Sequence, residues 1–438
     1  MISDVLSKSL SLPCGAELSN RLAKASMTEG LGDSMNCATE RHVRLYQRWA
    51  RGGAGLLLSG NVQVDRTHLE RPGNIAVDSN GGLTALRAMA QAGTCAGNHF
   101  WMQINHPGRQ TPASINATPL APSAVALPTT EVGCGQPVAM TELQILDLIR
   151  RFVHVASVAR DVGFTGVQIH AAHGYLMSQF LSPLSNLRTD AWGGVLENRA
   201  RCLLEIVRAT RKAVGNDFPL SVKLNSSDFQ KSGFSDEESM QVVRWLAEAS
   251  VDLIEISGGN YEQMQMIGRG DSQLAPVQAA ARGIADSTWL REAYFLEYAA
   301  RVRPIADVPL MITGGFRSRA AMVAALESDQ LDVVGLARPL CADPEICAKL
   351  LTGEATEAPS PERSIVLDRA SIGAEVSDVV FKIMASYAPV AWCYVQLFRL
   401  GDGEDPVFNV TPLEALRSYE AKDQEILLAL QRPKAHAS

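Results

Sequence analysis

The sequence predicts an α/β fold: a closed (β/α)8 TIM barrel with an N-terminal hairpin and a C-terminal helical extension. Eight short apolar runs alternate with stretches of helical period over residues 1–355, the order such a barrel needs. Many of these runs end in polar or glycine residues, which would converge on one mouth. The rival, a doubly wound open sheet, would place a Gly-x-Gly-x-x-Gly turn after an early strand, and the chain has none.

In order, LSLPCGAELSNRLAKAS (10–26) gives a hairpin around Gly15 and a first strand at Leu22–Ser26. A helical segment from Thr39 to Gly52 leads into the apolar strand Ala54–Gly60. A helix over about Gly82–Gly97 precedes a strand at His99–Asn105. Residues Pro107–Met140 are rich in Pro, Ala and Thr without helical period, a length typical of a lid or binding loop. Thr141 and Gln144 form a capping-box start for a helix reaching about Asp161. The fourth strand opens GVQIHAAHGYLMSQFLSPLSNLRTDAWGGVLENRAR (166–201), and a helix runs from Val195 to Val214, stopped by Gly215.

Strand five is expected at Pro219–Leu224, followed by a helix capped by Ser235 and Glu238 and running to about Ala249. Strand six is Val251–Ser257, with a long loop to about Asp286 and a helix from Ser287 to Arg303. Pro309–Thr313 and Leu331–Gly335 supply the last strands, separated by a helix at Arg319–Glu327 and followed by one at Asp343–Leu351. The composition shifts after Ala355, where Pro359 and Pro361 suggest a linker. Residues 356–438 read as that linker and a helical appendage, with helical patterns at Ala374–Met384, Val390–Arg399 and Thr411–Gln431.

The 438 residues are 46% hydrophobic and 20% charged, a balance suited to a globular enzyme with a large core. A net charge of −7 without a long basic run gives no sign of a nucleic-acid partner. The start of the chain lacks the pattern of a signal peptide, and no stretch reaches the roughly 20 apolar residues of a membrane span. Eight cysteines without a C-x-x-C pair point to free thiols in a reducing, cytoplasmic setting and away from an iron–sulfur cluster.

Chemistry crowds the strand ends. His170, His173 and Tyr175 follow strand four within six residues. Two histidines can simply satisfy loop carbonyls, and a metal site would need a third ligand that this spacing does not offer, so no metal is expected. Two imidazole N–H donors beside a phenol suit different chemistry, in which the pair holds an oxygen while charge builds on it and the phenol delivers a proton to a neighbouring carbon. Gly314-Gly315 and Ala337-Arg338, after strands seven and eight, form the usual barrel arrangement for a phosphate, although Arg338 could instead pair with Asp343 or Glu345. Lys223 would be costly inside a barrel without an anionic partner, and Gln103 can read a ring edge bearing both N–H and C=O groups. A phosphorylated heterocycle satisfies all three sites: FMN, or pyridoxal phosphate if Lys223 served as a Schiff base.

The run HAAHGYLMSQFLSPLSNLRTDAWGGVLENRAR resembles the signature of the Old Yellow Enzyme family of NAD(P)H:flavin oxidoreductases. NRLAKASMTEG, QINHPGRQ, VKLNSSDF, ITGGFRS and VGLARPLCADPE extend the resemblance over about residues 10–350. It implies a barrel holding FMN tightly and non-covalently, with NADPH or NADH as donor. Hydride would pass through flavin N5 to the β-carbon of an enone, enal or nitroalkene, and Tyr175 would protonate the α-carbon. His170 and His173 would grip the substrate oxygen. By the same resemblance Ala25, Ser26, Met27 and Thr28 line the flavin, and Gly60 and Gln103 contact its ring. Lys223 would face the N1/O2 side, and Gly314, Gly315, Ala337 and Arg338 would hold the phosphate.

Three positions depart from the common pattern: Lys223 replaces an arginine, Trp192 a tyrosine, and Thr28 a redox-tuning cysteine found in some members. The cluster-binding cysteines and second dinucleotide domain of larger members are missing, so electrons would come directly from a soluble nicotinamide. A nicotinamide and a small activated alkene are the expected partners, with homo-oligomerisation open. An FMN oxidase or demethylase, or a non-catalytic flavin-binding module, are the competing functions.

Overall fold

The computed structural model describes residues 4–127, 133–257, 296–373 and 376–431. Two hairpin strands, β1 (Leu10–Ser11) and β2 (Glu17–Leu18), precede the barrel. The barrel strands are β3 (Leu22–Lys24), β4 (Leu56–Gln63), β5 (His99–Asn105), β8 (Gly166–Ala171), β9 (Leu220–Asn225), β10 (Leu253–Ser257), β11 (Leu310–Thr313) and β12 (Val333–Leu336). They close in that order, and β12 pairs with β3 in parallel through Val334↔Leu22, Gly335↔Ala23 and Leu336↔Lys24.

Every residue of β4, β8, β9 and β10 is buried because the two faces meet different cores. Side chains alternate between them with the period of two that a strand imposes. Ala23, Leu56, Leu58, Trp101, Leu253, Met311 and Val333 point into the barrel, where Leu10, Leu12 and Leu18 of the hairpin close its base. Leu22, Leu57, Phe100 and Ile254 point outward into the larger core beneath the helices. The capping boxes read from sequence form, with Thr141 Oγ1 accepting from Gln144 N–H and Ser235 Oγ from Glu238 N–H.

Several elements differ from the sequence reading. β4 continues past Gly60 to Gln63 through a register shift between Leu58 and Asn61, because both of its faces stay covered. The 107–140 stretch is not wholly irregular: it holds a 3-10 turn at Gly108–Gln110 and the paired strands β6 (Leu120–Ala121) and β7 (Val138–Ala139). A short helix at Leu176–Leu181 stands where the sequence reading has only a loop. The loop expected at 260–285 and the first residues of the helix expected from Ser287 lie outside the described residues.

The extension contains one helix, Asp378–Asp402, where two were expected, and Pro389 sits inside it. Proline forfeits one backbone hydrogen bond, but buried Ala385, Ala388, Trp392 and Leu397 along the same helix favour continuing it against the barrel. Gly403, at φ +85°, ends it and permits the turn toward Pro412–Gln431.

This helical pair docks on the barrel's first helix, Glu40–Arg51. Arg41 grips Asp402 with two N–H groups at 2.7 and 2.8 Å, and Arg44 Nε donates to Gly401 O at 2.8 Å. Deeper in, buried Arg71 lies between the rings of Tyr394 and Tyr419, 3.8 and 4.6 Å from their centres, and pairs with Asp423. No described helix is long and apolar enough to cross a membrane, and no two of the eight cysteines, all among the described residues, are joined in a disulfide.

Candidate active site

β8 delivers His170 to the mouth of the barrel, and the chain then turns sharply. His173 has φ +65° and Gly174 φ +76°, a conformation that costs a histidine unless its surroundings enforce it. They do: His173 N–H donates to Asn225 Oδ1 at 3.2 Å, and Gln110 and Gln179 donate to the carbonyls of His173 and Gly174 at 3.0 and 2.7 Å. The turn brings the ring centres of His170 and His173 to 5.0 Å and those of His170 and Tyr175 to 4.9 Å, both edge-to-face. All three side chains are buried.

His170 Nδ1 accepts the Ala172 N–H at 3.2 Å, which leaves the proton on Nε2 as a donor. His173 Nε2 lies 2.7 Å from Ser257 Oγ at the end of β10. Burial drives both imidazoles well below the usual histidine range, and the Lys223 ammonium pushes the same way. They are therefore neutral hydrogen-bonding groups at neutral pH.

Below them a polar ladder crosses the barrel. Ser26 Oγ donates to Gln103 Oε1 at 2.7 Å, Gln103 Nε2 to Gln168 Oε1 at 2.8 Å, and Gln168 Nε2 to Glu255 Oε2 at 2.9 Å. Lys223 Nζ stands 2.9 Å from Glu255 Oε1. The sequence left Lys223 without a protein partner. The structure supplies one, the carboxylate opposite it in the β9–β10 register. Glu255 and Gln168 are the members that sequence reasoning missed; an acid in the apolar run LIEIS was the available signal.

The ends of β11 and β12 adjoin through the Thr313↔Gly335 pair, which places Gly314-Gly315 beside Ala337-Arg338. Gly314 and Gly315 both have positive φ, +105° and +91°. Arg338 pairs with neither Asp343 nor Glu345, which are engaged by Lys349 and Arg48. Its charge contact among the described residues is Glu362 at 3.9 Å, and Arg317 holds the same carboxylate at 2.5 Å. Burial opposes ionisation of Glu362, but Arg338 and Arg317 together hold it below the usual carboxylate range. Two cations around one anion leave this corner net positive. Arg317 and Glu362, the latter in the expected linker, are further residues that sequence reasoning missed.

Ala25 N–H donates to Leu336 O at 2.8 Å, extending β3 to the same rim, where Met27 meets Cys341. Thr28 Oγ1 lies 3.1 Å from both Asn61 Oδ1 and Glu70 Oε2. Gly60 N–H is taken by Glu29 Oε1 at 2.8 Å and Tyr46 OH at 3.0 Å, and a Cβ at Gly60 would overlap the Glu29 carboxylate.

Asp65, His68 and His106 also bring possible metal-ligand atoms within 4.8 Å of one another. His68 Nε2 accepts Leu120 N–H and His106 Nδ1 accepts Gly108 N–H, each at 3.0 Å. A metal-bound imidazole uses its second nitrogen as a donor, so this hydrogen bonding suits a tie for the 107–120 loop instead.

The profile of the NADH:flavin oxidoreductase / NADH oxidase family, an FMN oxidoreductase family, matches residues 14–357. The chain belongs to this family. It is 36% identical over 358 residues to NADH-dependent flavin oxidoreductase iccE of Talaromyces variabilis, covering 77% of this chain and 84% of that one. It is 36% identical over 356 residues to NADH-dependent flavin oxidoreductase iliE of a Neonectria species, with 77% of this chain and 46% of that protein covered. Among solved structures, a 2-naphthoyl-CoA reductase complex superposes with a TM-score of 0.71 at 26% identity, over 81% of this chain and 53% of that one. This chain thus spans about half the length of some family members it matches. The matched region ends at residue 357, so the helices Asp378–Asp402 and Pro412–Gln431 lie beyond the family profile.

Burial holds His42, His99, His106, His170 and His173 below the ordinary histidine value of 6.5, His42 down to about 4. As pH falls through 6.5 the unfolded chain binds protons that the fold refuses, so these groups leave stability intact above that pH and erode it below. Each group contributes up to about 1.4 kcal/mol per pH unit. Urea midpoints are therefore expected to drop steadily between about pH 7 and pH 5; a flat profile there would contradict the assignment of neutral buried imidazoles.

Proposed function

We propose that this chain is an FMN- and NAD(P)H-dependent reductase of activated alkenes, with the catalytic barrel in residues 1–355. The observation that carries the reading is the cluster of two neutral, buried imidazoles and a phenol above the polar ladder. The residues fit FMN. The net-positive corner at Arg338, with the left-handed backbone of Gly314 and Gly315, suits its phosphate. Gln103 keeps one N–H and one lone pair beyond its bonds to Ser26 and Gln168, enough to meet a ring edge. Ala25, Ser26, Met27 and Thr28 form the adjoining rim, with Gly60 behind it.

When bound, FMN supplies a ring that accepts hydride from a nicotinamide and gives it to a carbon. His170 presents its Nε2–H to the carbonyl or nitro oxygen of an enone, enal or nitroalkene, and His173 completes the grip. Neutral donors suit a neutral oxygen that gains charge during reaction. Tyr175, against the His170 ring, places its hydroxyl to protonate the α-carbon. The same neutrality disfavours an oxidase or demethylase acting on a cationic amine, which would call for an anionic or aromatic cradle.

The test is optical. Purified protein should be yellow, anaerobic NADH or NADPH should bleach it, and 2-cyclohexenone should restore the colour with turnover. A para-substituted phenol, whose phenolate mimics the developing enolate, should raise a long-wavelength charge-transfer band. A flavin that NAD(P)H reduces but no enone or nitroalkene reoxidises would refute alkene reduction while leaving the family assignment in place.

A further inference from the structure

We infer that Glu255 is a positioning residue for the cofactor: it partly neutralises Lys223 and, through Gln168, dictates which atoms Gln103 turns toward the ring. The inference rests on the reading that the flavin ring lies against Gln103 and Lys223.

Glu255 is fully buried at the centre of the barrel, and burying a carboxylate there is costly unless it is paired. Its position makes two sets of contacts. Oε1 faces Lys223 Nζ at 2.9 Å as a charge contact rather than an aligned hydrogen bond, and Oε2 accepts from Gln168 Nε2 at 2.9 Å. An ionised carboxylate is acceptor-only, so Gln168 must turn its NH2 group toward it. Gln168 Oε1 then faces Gln103 and requires an N–H from it. The Gln103 oxygen is left for Ser26 on one side. The anion thereby orients two amides in series, and the amide reaching the ring is not free to flip.

The second effect is electrostatic. A lone ammonium at Lys223 would strongly favour the anionic reduced ring; with Glu255 against it, the pair approaches neutrality and that preference shrinks. Lys223 also stands opposite His170 in the β8–β9 register, so the same carboxylate limits the positive field on the substrate-binding imidazoles.

The experiment measures the midpoint potential of the bound flavin, together with FMN affinity, in Glu255→Gln, Lys223→Met, the double variant and Gln168→Leu. Unmasking Lys223 in Glu255→Gln should favour the reduced flavin at least tenfold, a rise of about 30 mV for a two-electron couple. Lys223→Met should shift the equilibrium at least tenfold the other way, and the double variant should return close to the parent, since each change removes the other's partner. Gln168→Leu cuts the ladder while leaving both charges of the ion pair in place, and should weaken FMN binding about tenfold with a smaller change in potential than either charge variant.

A Glu255→Gln protein with the parent's potential overturns the charge role, and a Gln168→Leu protein with the parent's affinity overturns the orienting role. If Glu255→Gln does not load with flavin, the double variant decides: a potential as low as that of Lys223→Met alone refutes the coupling. A parent chain that binds no FMN would instead overturn the site reading itself.

Discussion

Tyr175→Phe is expected to slow alkene reduction by about 10²–10⁴-fold, the usual contribution of a positioned proton donor, while the flavin is reduced by NADH at close to the parent rate. The substitution keeps the ring that packs edge-on against His170 at 4.9 Å and removes only the hydroxyl. The backbone of Tyr175 continues to start the helix Leu176–Leu181, so the loop should hold its shape. Stopped-flow measurement of the two half-reactions separates the steps. Equal slowing of both would take the proton-donor role away from Tyr175. Nitroalkenes, whose products are stabilised as anions before protonation, should be the least affected substrates.

Arg71→Ala is expected to cost about 3 kcal/mol and to loosen the C-terminal helices, near the lower end of what breaking a buried charge pair brings because Asp423 keeps some solvent access. Arg71 contributes through its planar faces, packed between Tyr394 and Tyr419, as well as through its charge. Arg71→Lys retains only the charge and should fall between the two. Urea unfolding and timed protease digestion read the effect; cleavage after the barrel at the parent rate would show that the clamp does not hold the extension. Glu70, the neighbour of Arg71, reaches Thr28 at 3.1 Å, so the extension is anchored within one residue of the expected flavin rim.

The barrel was legible because its signals are local. Apolar strand runs, capping boxes at Thr141 and Ser235, and the stop glycine Gly215 act within a few residues of themselves. The cluster at His170, His173 and Tyr175 was legible for the same reason. Glu255 was not, because its significance depends on standing opposite Lys223 across a strand pair, a register that one-dimensional pattern does not carry. Arg317 and Glu362 meet from 45 residues apart, and Arg71 meets Tyr394, Tyr419 and Asp423 from more than 300 residues further along the chain. The gap expected between Met384 and Val390 does not form: Pro389 lies there, and packing along the helix overrides its local preference for a break.

The seam between β3 and β12 bears on how the protein emerges from the ribosome. Leu22–Lys24 is made early, yet one of its edges finds no neighbour until Val333–Leu336 has been translated, and the helix Glu40–Arg51 gains its outer cover only when the last helices arrive. The nascent barrel is thus an open, curved sheet with an apolar margin for most of its synthesis. Slow elongation, or a holding chaperone, should matter more to the yield of this protein than any single contact in its finished form.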